Sequence, residues 1–261
     1  MLDEQNCSGG RAVKDSLHLV GTRDGLVITD CRAKLEQFIE FEAFRGYDCV
    51  GYRYLADPDQ LQRPLLTAMN TAMMARSRLD AWEPFLGRTL PELAAVPQDV
   101  DLVESPADQY EQACAALDSC YRLLAGGPHI TDMAASKMLY LKRPRLVAIS
   151  DTYVRRALGM QEPPASLQRQ EYYAARALAV ADAVREVGRA NLDVLEGLNA
   201  AVVPIVQKVG GESAFLTSAR IIDVLMWADM AISRCGGVWY RLARMAGWRS
   251  IAWDLCGKGA Q

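Results

Sequence analysis

With 261 residues, 51% hydrophobic and 23% charged, the chain is long enough to bury one large core or two modest lobes, and disordered, collagen-like and coiled-coil classes are excluded. A formal net charge of −3 excludes a uniformly basic nucleic-acid coat but hides local asymmetry. Seven cysteines without a CxxC pair, and only two histidines, argue against a disulfide framework, a structural zinc site or an iron–sulfur cluster. The thiols read as small core residues of a cytoplasmic protein, and no metal or cofactor is called for.

Residues 1–30 read as an N-terminal extended segment, punctuated by glycines, with Leu26-Val27-Ile28 as a short strand or extended run. A helical domain is expected over 31–234. Its first helix runs from Cys31 to Phe44, a loop covers Tyr47 to Leu55, and Asp57-Pro58 starts a helix reaching Ser77. Short helices follow at 79–86 and 89–95, then an acidic connector. A long helix from Pro106 to Ala125 stops at Gly126-Gly127-Pro128. Ile130 to Leu141 is helical, Pro144 breaks it, Arg145 to Ile149 is extended, and Asp151 caps a short helix ending near Gly159. Two long helices, 166–187 and 189–208, and an amphipathic one from Thr217 to Ser233 complete the domain. A tail over 235–261 holds Trp239, Trp248 and Trp253. The expected fold is all-α, two helical lobes with a cleft between them.

No apolar run approaches the ~20 residues of a membrane span. The nearest, Ile221 to Ile232, is interrupted by Asp223 and Asp229. The start, MLDEQNCSGG, carries no secretory signal, so a cytoplasmic protein without a membrane partner is expected.

Charge is segregated along the chain. Residues 80–118 hold nine acids against Arg88, whereas 137–156 hold six bases against Asp151. That basic stretch marks a candidate anion-facing surface. It lies within the most informative segment, 126–159, which reads as helix, Gly-rich hairpin, helix, basic Pro turn, apolar run and an aspartate at a helix start. A Gly-Gly-Pro hairpin is expected to leave N–H groups free at the next helix start, where phosphate binds through donors and dipole.

The segment resembles the helix-hairpin-helix DNA glycosylase superfamily, the endonuclease III-like enzymes. Ile149-Ser150-Asp151-Thr152-Tyr153-Val154-Arg155-Arg156 stands where that superfamily has its catalytic aspartate, in a context like V-D-T-H-V-x-R. More narrowly, ASKMLYLKRPRLVAISD and ARIIDVLMW resemble an uncharacterised bacterial family with a KRPRL-type motif, over residues ~40–230. The hairpin departs from the usual L-P-G-V-G, reading Gly127-Pro128-His129-Ile130-Thr131. Met133 stands where bifunctional members carry a catalytic lysine, and Lys137 follows one turn later. The four-cysteine cluster is absent.

The resemblance implies a monofunctional DNA glycosylase that flips a damaged or modified base out of double-stranded DNA and leaves an abasic site. Breaking the base–sugar bond develops positive charge on the deoxyribose, which a carboxylate at Asp151 would stabilise while activating water. Gly127, His129, Ile130, Thr131, Lys137, Lys142, Arg143 and Arg145 are the expected phosphate contacts. Tyr52, Tyr54, Trp82 and Tyr153 are candidate stacking residues for the base. The protein is expected to act as a monomer, in repair or against phage carrying modified DNA. The alternative is a DNA-binding protein that keeps the hairpin without the chemistry. A third reading, an enzyme of free nucleosides, would need no phosphate-binding surface. Asp151 also reads as a plain N-cap, and the Lys142–Arg145 turn as a solvated surface.

Overall fold

The computed structural model describes residues 15–20, 25–40, 47–49, 91–127, 130–164, 166–212 and 214–235, and these are mostly helical. Strands β1 (Ser16–His18) and β2 (Val27–Thr29) pair antiparallel, with Leu17 opposite Ile28. Both of these side chains are buried while their neighbours point outward, the two-residue alternation of a half-buried ribbon. Asp30 then takes a left-handed φ of 54° and turns the chain into α1 (Cys31–Glu40). That helix buries Cys31, Leu35, Phe38 and Ile39, one apolar stripe at helical spacing. The expected helices from 57 to 77 and from 79 to 86 lie outside the described residues; the one at 89–95 is helical over 91–95.

Helix α2 (Ala107–Ala125) starts after Pro106 and ends at Gly126, whose N–H reaches the Arg122 and Leu123 carbonyls. Helix α3 (Asp132–Tyr140) begins two residues later than its pattern suggested, because Thr131 is the cap. Helix α4 (Thr152–Ala157) is capped by Asp151, as the sequence indicated. Helices α5 (Arg169–Ala190) and α6 (Leu192–Gly210) meet at Asn191. The buried Asn191 amide accepts from His18 N–H at 3.1 Å and donates to the His18 and Val187 carbonyls at 2.8 Å. One satisfied amide therefore joins the ribbon to the helical body.

α2 packs along α5. At the end of α5 the backbone comes so close to the preceding connector that a Cβ on Gly188 would lie 2.5 Å from Val103 Cγ2. Helix α7 (Ser218–Cys235) is the central element, packed against α1, α4, α5 and α6. Thr217 caps it, with its hydroxyl accepting from Arg220 N–H at 3.1 Å. Ile221, Ile222, Val224, Leu225 and Met226 are buried, and so are Arg220 and Asp223 among them. Charges inside an apolar helix need partners, and those partners lead to the site.

Of the cysteines described, Cys31, Cys49 and Cys120 are buried and Cys114 is half-buried, all as free thiols. Burial pushes the Cys31 thiol up to about 11 and Cys120 up to about 12, which suits packing rather than reactivity.

Candidate active site

Asp151 sits at the end of a pinned extended run. Ser136 Oγ, on α3, accepts from Ser150 N–H at 2.9 Å, and the Ser150 hydroxyl donates to the buried Asp132 carboxylate. The chain thus arrives at Asp151 in a fixed direction, with φ −82° and ψ 152°, and turns into α4. One Asp151 oxygen accepts from Tyr153 N–H at 2.9 Å. The side chain is half-buried, so it is both a cap and open to solvent.

Across from it α3 presents Lys137, also half-buried. Burial pushes the Lys137 ammonium below its ordinary value, and the Asp151 carboxylate is the chief charge opposing that shift. Arg220 adds to the lowering; Asp223 and Asp48 counter it. The ammonium is thus desolvated, and neighbouring carboxylates offset only part of that cost.

Behind Lys137 lies a buried ion-paired group. Arg220 grips Asp48 with Nε and Nη2, both at 2.9 Å, and Asp223 with Nη1. The Tyr140 hydroxyl donates to the same Asp48 oxygen at 2.9 Å, and the Tyr47 hydroxyl donates to the Lys137 carbonyl at 2.7 Å. Phe38, Tyr47 and Tyr140 rings surround the guanidinium at 5.2 to 5.7 Å. Burial pushes Asp223 up to about 6; Arg220 opposes this and the charge of Asp151 adds to it. One guanidinium therefore serves two buried carboxylates, and the excess negative charge faces Lys137 and Asp151.

The basic turn is corrected by the structure. Lys142 and Arg143 are only 2% and 1% exposed. Arg143 donates Nε to the Val96 carbonyl at 2.8 Å and Nη2 to the Leu93 carbonyl at 2.6 Å, closing the end of the helix at 91–95. Arg143 held this way, and Lys142 buried beside it, do not face a phosphate outside the fold. Arg145 remains exposed and lies over the Phe215 ring at 5.5 Å. Arg143→Ala should therefore destabilise the protein by about 3 kcal/mol, because buried carbonyls lose their donors. Thermal denaturation of the variant checks this.

The hairpin is also more self-contained than its glycines suggested. Gly127 N–H donates to the Leu124 carbonyl at 2.9 Å and Ile130 N–H to the Gly127 carbonyl at 3.4 Å. Ala134 N–H goes to the Thr131 hydroxyl at 3.5 Å. Gly127 and Ile130 are buried, and Arg169 Nη2 clasps both carbonyls, at 3.0 and 3.2 Å. Ile130 N–H, at the expected helix start, has a partner, as has Gly127 N–H, and Thr131 is half-buried. His129, Tyr52, Tyr54 and Trp82 lie outside the described residues. Tyr153 is half-buried and packs against the core.

Lys137 thus lies within electrostatic reach of Asp151, whereas Lys142 and Arg143 are buried. Asp48, Arg220 and Asp223 join the site without having been singled out for it. The one available signal was the charge interrupting the apolar run of α7. Among the described residues no group of three or more His, Cys, Asp or Glu could hold a metal ion, and no helix is long and apolar enough to cross a membrane.

Residues 39–230 match the model of a family of unknown function, DUF6308, and the chain belongs to that family. No curated protein and no solved structure matches it.

Proposed function

We propose that this member of the family is a monofunctional DNA glycosylase, hydrolysing the N-glycosidic bond of a flipped, damaged or modified base in double-stranded DNA. The observation that carries the reading is Asp151, a half-exposed carboxylate at the first turn of α4, electrostatically coupled to a half-exposed Lys137 and a buried Asp223. In this reading the cleft lies between two helical lobes, with the base drawn into it. Asp151 stabilises the positive charge that develops on the sugar as the bond breaks, and orients water for attack at C1′. Its Tyr153 N–H bond fixes the carboxylate before substrate arrives. Lys137 supplies a cation beside it, suited to a phosphate flanking the flipped nucleotide. The product is an abasic site and a free base; the substrate is either a lesion or a modified base of invading phage DNA. Release of free base from a duplex by the wild-type protein, and its loss in Asp151→Asn, tests the reading.

A second reading has one observation in its favour. A desolvated lysine beside a carboxylate suits Schiff-base attack on the sugar, which would make the enzyme a lyase as well. Against it, Lys137 stands one turn beyond the place of the superfamily's catalytic lysine, which Met133 occupies. Borohydride treatment of the protein with abasic-site DNA is therefore expected to trap no covalent adduct. An adduct mapped to Lys137 would replace the monofunctional assignment with the lyase one.

A further inference from the structure

Beside the start of α4, two arginines stand between two carboxylates of unlike exposure. Asp132, fully buried in the first turn of α3, accepts from Arg155 Nη1 at 2.9 Å, from Arg176 of α5 and from the Ser150 hydroxyl. On the outer side the same guanidinium groups face Glu162. Its carboxylate accepts from Arg176 Nη1 at 2.8 Å and from the Tyr172 hydroxyl at 2.7 Å, and lies 4.0 Å from Arg155 Nε.

We propose that Arg155, Arg176 and Tyr172 form an oxyanion site for a phosphate group, which the chain's own Glu162 fills until phosphate displaces it. The inner layer is fixed, because giving up Asp132 would strand a charge in the core. The outer layer is not: Glu162 is 58% exposed, in the connector between α4 and α5, and an exposed ion pair is weakly held. The two guanidinium groups stay in place when Glu162 leaves, since Asp132 holds them from behind. Arg176 is further braced by the Tyr172 and Tyr173 rings, at 5.0 and 5.3 Å. Its Nε is buried without a hydrogen-bond partner.

The site favours anions already. Hydrogen bonds from Arg176 and then Tyr172 hold the Glu162 carboxyl below its usual range. A phosphate brings more acceptor oxygens to the same donors, which suits paired arginines. Arg155 lies four residues after Asp151, on the same short helix. On the glycosylase reading, and resting on it, the ligand is a backbone phosphodiester near the excised nucleotide, a contact that the buried Lys142 and Arg143 do not provide. A free phosphate offers the same chemistry.

The test uses the full chain carrying Glu162→Gln. Inorganic phosphate is titrated by calorimetry, and a short duplex by fluorescence anisotropy across a salt series. Glu186→Gln, an equal change of charge at an exposed position of α5, is the control. Glu162→Gln should bind phosphate about fivefold more tightly than wild type. Its duplex affinity should rise with a salt slope steeper by about 0.9, and Glu186→Gln should show neither change. Adding Tyr172→Phe should reduce the gain by removing one donor. A gain for both probes identifies the DNA backbone as the ligand; a gain for inorganic phosphate alone identifies free phosphate at the same site. No gain for either, or an equal gain in Glu186→Gln, overturns the proposal. Phosphate binding without base release from any substrate would leave this site standing and remove the glycosylase reading. Base release with no gain in Glu162→Gln would do the reverse.

Discussion

Asp151→Asn should abolish base release while leaving the fold almost untouched. Asparagine caps a helix about as well as aspartate, so its stability should fall within about 0.5 kcal/mol of wild type. The amide carries no charge, however, and cannot stabilise an oxocarbenium-like sugar or accept a proton from water. Loss of one preorganised electrostatic contact to a transition state typically costs about 10³-fold in rate, and a loss of that size or larger is expected. Asp151→Ala should lose the same activity and in addition about 1 kcal/mol of stability, because Tyr153 N–H then has no acceptor. Thermal denaturation and a base-release assay on the three proteins distinguish the cap from the proposed catalytic role. An asparagine variant with the wild-type rate would leave Asp151 as a cap alone.

The largest loss of stability should follow Arg220→Met. Methionine fills much of the space beside Phe38, Tyr47 and Tyr140 but leaves Asp48 and Asp223 buried without their cation. Breaking one side of a buried ion pair costs about 3–5 kcal/mol, which for a chain of this length lowers Tm by roughly 10 °C or more. The effect should depend on pH in a definite direction. In the wild type Asp223 titrates at about 6 in the fold against an ordinary value of 3.8. Its folded form binds the proton more tightly than the unfolded chain does. Its favourable contribution is therefore complete below about 3.8 and is lost as pH rises through about 6. Without Arg220, which lowers that value, the loss extends to higher pH. Melting curves of both proteins at pH 5 and pH 8 should show the gap in Tm widening at pH 8. A gap that narrows would mean that Asp223 is not held by Arg220 in this way.

Local signals carried much of the helical architecture. Gly126 ends α2 where the sequence indicates, and Asp151 and Thr217 cap α4 and α7 because their side chains accept a backbone N–H at the helix start. The candidate carboxylate was legible for the same reason. The basic turn misled because a count of charges does not show where the acceptors are. Arg143 finds its acceptors at Leu93 and Val96, some fifty residues away, and only the folded chain reveals that these carbonyls need it. Nothing local marks Asp132; its burial depends on Arg155 and Arg176, supplied by two other helices. Asp48 lay in a stretch read as loop, and nothing local marked it as the partner of Arg220, 172 positions further on. Lys137 was visible as a lysine one turn along α3, but its desolvation and the influence of the Asp151 charge on it come from tertiary packing.

Mass spectrometry of free bases is the direct test of base release. Duplexes carrying a panel of damaged and phage-type modified bases are incubated with the wild-type protein and with Asp151→Asn. At least one duplex should yield a free base and an abasic site with the wild type, and none with the variant. Release at equal rates by both proteins, or no release from any duplex by a wild-type protein that binds DNA, would contradict the glycosylase reading.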